Sequence, residues 1–142
     1  MNQGFQVHDL EWNSEKITRF WSYESERADN FFTRMVGRAL FEYVQRQVSV
    51  KSPVLDLGCG PGYLTQILLE NGFETMAVDL SLTGLIELQE RLGRSDMLKG
   101  VSVGSSSQIP ARDGSFGSVF FIEMIEHLLP HEIARTLQEI HR

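Results

Sequence analysis

Val54-Leu55-Asp56-Leu57-Gly58-Cys59-Gly60-Pro61-Gly62 is a short apolar run that breaks into three alternate glycines. Four residues of that kind, closed off by glycine, suit a strand buried on both faces. The turn that follows leads into Tyr63–Glu70, which reads as a helix, and Asn71-Gly72 stops it as glycine does in the left-handed position past a C-terminus. Residues 73–78 then read as a second strand, ended by Asp79. Leu82–Leu92 reads as a helix stopped by Gly93, Leu98–Val103 as a weak third strand and residues 116–122 as a strong fourth. Pro130 opens a last helix with Ile133, Ala134, Leu137 and Ile140 on its apolar face. Strands alternating with helices predict βαβ units, right-handed crossovers and a parallel sheet.

The first fifty residues carry a different period. Ser14 is an expected N-cap with Glu15 just inside, followed by Ile17, Phe20 and Trp21 at helical spacing. After Asp29-Asn30, a second helix lines up Phe32, Met35, Val36, Ala39, Leu40, Tyr43 and Val44 in one apolar stripe. Trp12, Trp21, Tyr23 and Phe31-Phe32 concentrate aromatics ahead of the sheet. They suit either core packing or a cover over a site.

Composition narrows the class. The 142 residues hold 13 Lys plus Arg against 19 Asp plus Glu, a formal net charge of −6. That balance opposes a general nucleic-acid grip, which needs clustered positive charge. Cys59 has no partner for an intrachain disulfide, no apolar run approaches a membrane span, and the opening residues lack the order of a signal peptide. The expectation is a soluble, cytoplasmic single domain. His8 and His141 read as surface residues, and Cys59 as a small packing residue rather than a nucleophile.

The chemistry gathers at the strand ends. Glycines at the first turn let a ligand lie against the main chain, and the helix start behind them offers free N–H groups. Asp56 sits on the strand two residues before Gly58, where a carboxylate could meet a cationic group. Asp79 ends the second strand, where it could accept both hydroxyls of a ribose or instead serve as a turn residue or cap before Ser81. Glu123, Glu126 and His127 follow the fourth strand, at the edge where open α/β sheets bind ligands. They could act as general base and substrate clamp, orient the loop, or ligate a divalent ion. The metal reading needs a further ligand, and His131 is not expected to supply it.

Residues 54–62 with Ala77-Val78-Asp79-Leu80-Ser81 closely resemble the first two motifs of class I S-adenosylmethionine-dependent methyltransferases. The resemblance continues through residues 109–116 and Phe121-Ile122-Glu123-Met124-Ile125-Glu126-His127-Leu128, and so covers about residues 53–142. Its nearest flavour is the small-molecule branch that includes ubiquinone- and menaquinone-biosynthesis methyltransferases. It implies that Asp56 and the Gly58, Cys59, Gly60 and Gly62 backbone hold the methionine part of S-adenosylmethionine, that Asp79 binds the ribose, and that Leu80 packs on the adenine. Ser105, with Ser106, stands where the family usually has an Asp for the adenine amino group, and Gly117 stands where it usually has another Asp. Some methyltransferases of this kind use the same Glu-x-x-Glu-His spacing for a metal. No metal is expected here, and Glu123, Glu126 and His127 are taken as catalytic, with Glu123 also near the cofactor.

The resemblance implies a Rossmann-like, doubly wound α/β fold. Residues 1–50 form a helical lid or packing segment, and residues 51–142 a partial S-adenosylmethionine-binding domain. It also implies a seven-stranded sheet whose last three strands would lie beyond Arg142. Strand four would then be an apolar edge, covered by more chain or by a second copy in a homodimer. The expected function is methyl transfer to an oxygen, nitrogen or carbon of a small molecule, leaving S-adenosylhomocysteine. The alternatives are a non-catalytic S-adenosyl-binding or interaction module and a nicotinamide-dependent oxidoreductase. Against the latter, Tyr63 stands where Gly-x-Gly-x-x-Gly needs its last glycine.

Overall fold

The computed structural model describes residues 13–27, 29 and 31–142, so His8 and Trp12 lie outside the described residues. Two helices come first, α1 (Ser14–Ser25) and α2 (Phe32–Gln47). They precede β1 (Val54–Leu57), α3 (Tyr63–Glu70), β2 (Thr75–Asp79), α4 (Leu82–Leu92), β3 (Leu98–Val103), β4 (Ser118–Phe120) and α5 (Pro130–His141). The four strands form one parallel sheet in the order β3-β2-β1-β4. This is the expected doubly wound α/β architecture. The order reverses at β1, and ligand crevices in open sheets form at the carboxyl end of such a reversal.

Both faces of β1 are buried, which is why it reads as a continuous apolar run rather than an alternating one. Val54 points with Phe120 into a cluster closed by Phe41 of α2 and by Leu64, Ile67 and Leu68 of α3. Ala77, on the same face, packs with Leu85 and Leu88 of α4. Leu55 and Leu57 turn the other way, toward Val78, Ile109 and Ile140 of α5. A fully buried Leu or Phe contributes about 1.5–3 kcal/mol, so these clusters fix the strand order. Arg142 locks the second face, donating to the carbonyls of Ile109 and Ala111 while pairing with Asp113 and Glu139.

Three boundaries differ from expectation, each for a local reason. Asn13, not Ser14, caps α1: its Oδ1 accepts the Lys16 N–H at 3.0 Å. β2 begins at Thr75 because the Phe73 N–H closes the α3 terminus on the Leu68 carbonyl, alongside Gly72 N–H on Leu69. β4 keeps only three of its seven expected residues. On its amino side a Cβ at Gly117 would lie 2.7 Å from the Lys51 carbonyl oxygen, so a side chain there has no room. On its carboxyl side Phe121 and Ile122 leave the ladder to deliver Glu123 to the crevice. β4 is an edge of this sheet, as expected. Among the described residues, no helix is long and apolar enough to cross a membrane.

Candidate active site

Segments following all four strands, with α1 and the start of α2, enclose a cavity of about 270 Å³. Asp56, Gly58, Cys59 and Gly60 line it from β1, Asp79 and Leu80 from β2, Ser106 from the turn after β3, and Glu123 and His127 from the segment after β4.

The glycine turn and Asp79 form one hydrogen-bonded unit. Gly58, Gly60 and Gly62 all have positive φ, at 79°, 50° and 81°. This winding aims the Gly60 N–H at Asp79 Oδ2, at 2.8 Å, while Asp79 Oδ1 accepts the Ser81 N–H at 2.7 Å. Ser81 itself caps α4 through the Gly84 N–H. Burial holds the Asp79 carboxyl above its ordinary value, opposed by the N–H groups of Ser81, Gly60 and Leu80. A carboxylate offers about four lone-pair positions, more than these N–H groups use, so acceptor capacity remains for a ligand hydroxyl.

Asp56 lies deeper. It shares the sheet face of Val54, and Thr65 of α3, fully buried, donates its hydroxyl to Oδ2 at 2.6 Å. Burial is the main reason its pKa rises from 3.8 to about 7, helped by the neighbouring Asp79 charge and opposed by the Thr65 hydroxyl. Two carboxyl groups in one wall, each held above its usual range by desolvation, make a site that favours positive charge. Burial likewise pushes the Cys59 thiol well up, which fits packing and not nucleophilic attack.

Three residues named from the sequence do not line the cavity. Gly62 opens α3, and a Cβ there would lie 2.6 Å from Leu88 Cγ, so its part is helix packing. Ser105 turns its hydroxyl to Ser107 and its carbonyl to the Gln108 N–H. Its neighbour Ser106 is buried at the cavity wall and bonds Thr136 of α5 at 3.0 Å. Glu126 is exposed within the 3-10 turn Ile125–His127. Among the described residues no three His, Cys, Asp or Glu side chains converge to hold a metal ion, so Glu123, Glu126 and His127 do not form a ligand set.

Two lining residues, Glu24 and Met124, have no role in the sequence reading, and they join Trp21 and Phe31, expected as packing or cover, and Glu123. Glu24 shares the cavity with Phe20 and Trp21 of α1, standing four and three residues on from them. A carboxylate continuing an apolar helical stripe was the available signal. Met124 presses on the glycine turn, with its Sδ 2.4 Å from where a Gly58 Cβ would be. Phe31 does the same at Gly60, 2.9 Å away, and its ring centre lies 5.8 Å from that of Tyr63. The Trp21 ring meets the His127 ring edge-on at 4.7 Å, joining α1 to the segment after β4. Glu123, at φ 51°, is the one non-glycine with positive φ among the described residues.

Residues 55–142 match a family described as the methyltransferase domain, which is more than half of the chain. The chain belongs to this family. The ubiquinone biosynthesis O-methyltransferase of Methylococcus capsulatus is 23% identical over 124 residues, 86% of this chain and 51% of that one. A crystal structure from Pyrococcus horikoshii OT3 superposes with a TM-score of 0.69 at 26% identity, covering 82% of this chain and 59% of the other. A glycopeptide N-methyltransferase complexed with sinefungin gives 0.62 at 29% identity, over 75% and 44%. The methyltransferase domain described here thus spans about half the length of such relatives. Family and fold agree with the class I S-adenosylmethionine-dependent resemblance carried by the glycine turn and Asp79.

Proposed function

We propose that this methyltransferase domain binds S-adenosylmethionine at the carboxyl ends of β1 and β2 and serves methyl transfer to a small-molecule acceptor. The observation that carries the reading is Asp79, whose two oxygens are held by Gly60 and Ser81 N–H groups at the wall of the cavity. This arrangement fixes the carboxylate's orientation and leaves lone pairs for the ribose hydroxyls. Leu80 offers an apolar wall beside it for the adenine, and the positive-φ turn at Gly58 and Gly60 lets the methionine part lie against the backbone. Asp56 and Asp79 complement the cationic groups. Bound there, S-adenosylmethionine supplies an electrophilic methyl group on positively charged sulfur.

The chain's own contribution is mostly positioning, with the attacking atom held in line and water kept out. His127 and Glu123 reach the same cavity and are placed to accept an acceptor proton; Glu126 is not. Related proteins include an O-methyltransferase and an N-methyltransferase, so an oxygen or nitrogen acceptor is in keeping with both. Among the helices, α1 and the start of α2 supply a cover on the acceptor side.

Calorimetric titration of the chain with S-adenosylmethionine, S-adenosylhomocysteine and NAD, beside Asp79→Ala, tests the reading. The expected result is selective binding of the two S-adenosyl compounds, weakened about a hundredfold in the variant, close to 3 kcal/mol. NAD binding, or a variant of unchanged affinity, would overturn the ribose assignment.

A further inference from the structure

We propose that Ser106 recognises the adenine of the bound cofactor by donating its hydroxyl proton to a ring nitrogen, and that Thr136 of α5 is the positioning residue that directs this proton toward the cavity. The proposal rests on reading this cavity as the S-adenosyl site, and it names how the far end of that ligand is read.

The location follows from the order of the ligand's parts. With the methionine part against the turn at the end of β1 and the ribose on Asp79 at the end of β2, the adenine falls to the segment after β3. That segment is tied to the ribose wall, since the Gly104 N–H donates to the Asp79 carbonyl at 3.0 Å. Three serines follow. Ser105 keeps its polar atoms within the turn, its hydroxyl on Ser107 and its carbonyl accepting the Gln108 N–H. Glu139 of α5 accepts the Ile109 N–H at 2.7 Å and fastens the turn at its far end. Ser106 is the serine of the three that lines the cavity, and it is only 5% exposed.

The direction of the proton follows from counting donors. Ser106 Oγ and Thr136 Oγ1 lie 3.0 Å apart, a separation that holds one proton between two hydroxyl groups. Thr136 is fully buried, and among the described residues Ser106 is the hydrogen-bond partner of its hydroxyl. If Ser106 donated, the Thr136 proton would be left unpaired and out of reach of water, which folded proteins avoid. Thr136 therefore donates, and the Ser106 proton turns to the side on which Ser106 is open, the cavity. Adenine has ring nitrogens that accept such a proton, whereas its amino group donates. An acidic side chain at this place only accepts and suits the amino group; a hydroxyl directed in this way suits the ring.

The test titrates the chain with S-adenosylhomocysteine, with its 1-deaza, 3-deaza and 7-deaza analogues, each lacking one ring nitrogen, and with an analogue lacking the amino group. One deaza analogue should bind about tenfold more weakly than S-adenosylhomocysteine, the loss expected for one hydrogen bond. That penalty should vanish in Ser106→Ala, fall to about threefold or less in Thr136→Val, and return in Thr136→Ser, which keeps the hydroxyl. Because the comparison is between ligands within each variant, a general loss of affinity or stability does not produce this pattern. The deaza comparison in the unaltered chain needs no variant to fold. Equal affinity for all the deaza analogues, a penalty confined to the analogue without the amino group, a penalty that survives Ser106→Ala, or one untouched by Thr136→Val would overturn the proposal. The two readings fail separately. S-adenosylhomocysteine binding without a deaza penalty sinks the adenine assignment alone, whereas no S-adenosylhomocysteine binding to the unaltered chain removes the cofactor reading and this assignment with it.

Discussion

On the strand side of the cavity, Asp79, Gly60 and Ser81 are joined by short hydrogen bonds, Thr65 holds Asp56, and Leu88 fills the space beside Gly62. On the helix side, Phe20, Glu24, Glu123 and His127 come from separate segments and meet mainly through ring contacts such as Trp21 on His127. The strand side is therefore over-determined, with Asp79 fixed by backbone N–H groups and Asp56 by the buried Thr65 hydroxyl. The helix side depends on how α1 lies against the rest, and can change its side chains without disturbing the sheet. A wall of the first kind suits a ligand that is always the same, and a wall of the second kind suits a partner that differs from protein to protein.

If that contrast is right, the largest effects should come from filling space on the strand side. Gly62→Ala places a Cβ 2.6 Å from Leu88 Cγ at φ 81°, and Leu88 is fully buried and cannot give way. Backbone strain plus overpacking should cost about 3 kcal/mol of stability in urea unfolding. Gly72→Ala supplies the control. Its φ is 79°, yet nothing lies within 4 Å of a Cβ there. It should cost only about 1 kcal/mol, from strain alone. Equal losses in the two variants would mean that Leu88 does not constrain the turn.

The pH dependence probes the same wall. Asp56 has its pKa raised from 3.8 to about 7 in the folded protein. The folded state therefore holds a proton that the unfolded state has released between those values, and stability falls as pH rises through that window. Up to about 3 kcal/mol should be lost between pH 5 and 7, and none further from this group once pH exceeds both values. Denaturation of Asp56→Asn beside the parent checks this, since the variant should be the more stable chain at pH 8 and should lack that part of the slope. Parallel pH profiles would show that Asp56 is not the titrating group.

The same contrast explains what could be read in advance. The bounds of α3, α4 and β3 follow from the sequence because stops such as Asn71-Gly72 and the cap at Ser81 act within a few residues. The glycine turn and Asp79 are legible for that reason, since both lie at the ends of strands whose apolar runs are plain. β4 is shorter than its apolar run because Lys51, more than sixty residues away, crowds Gly117 and bonds Ser118 at one end, while Phe121 and Ile122 leave the ladder at the other. Nothing local marks Met124 as a wall residue, and the mark on Glu24, a carboxylate in line with an apolar stripe, does not say what that stripe faces. Each acquires its place only when α1 and the segment after β4 arrive at the glycine turn. Ser105 and Ser106 are adjacent in sequence, and only the turn at Gln108 decides that Ser106 is the one facing the cavity.

The smallest effects should separate two neighbours on the helix side. His127 lines the cavity with its ring against Trp21, while Glu126, one residue earlier, is exposed and lines no part of it. With the best-bound acceptor, His127→Ala should lower turnover about tenfold while S-adenosylhomocysteine affinity stays within about twofold. The loss falls below the hundredfold or more of a committed general base because His127 is itself exposed, so water can take the proton in its place. Glu126→Gln should leave both quantities within about twofold. A larger loss in Glu126→Gln than in His127→Ala would reverse the assignment, because it would require the 3-10 turn Ile125–His127 to rotate and bring Glu126 to the acceptor in place of the histidine.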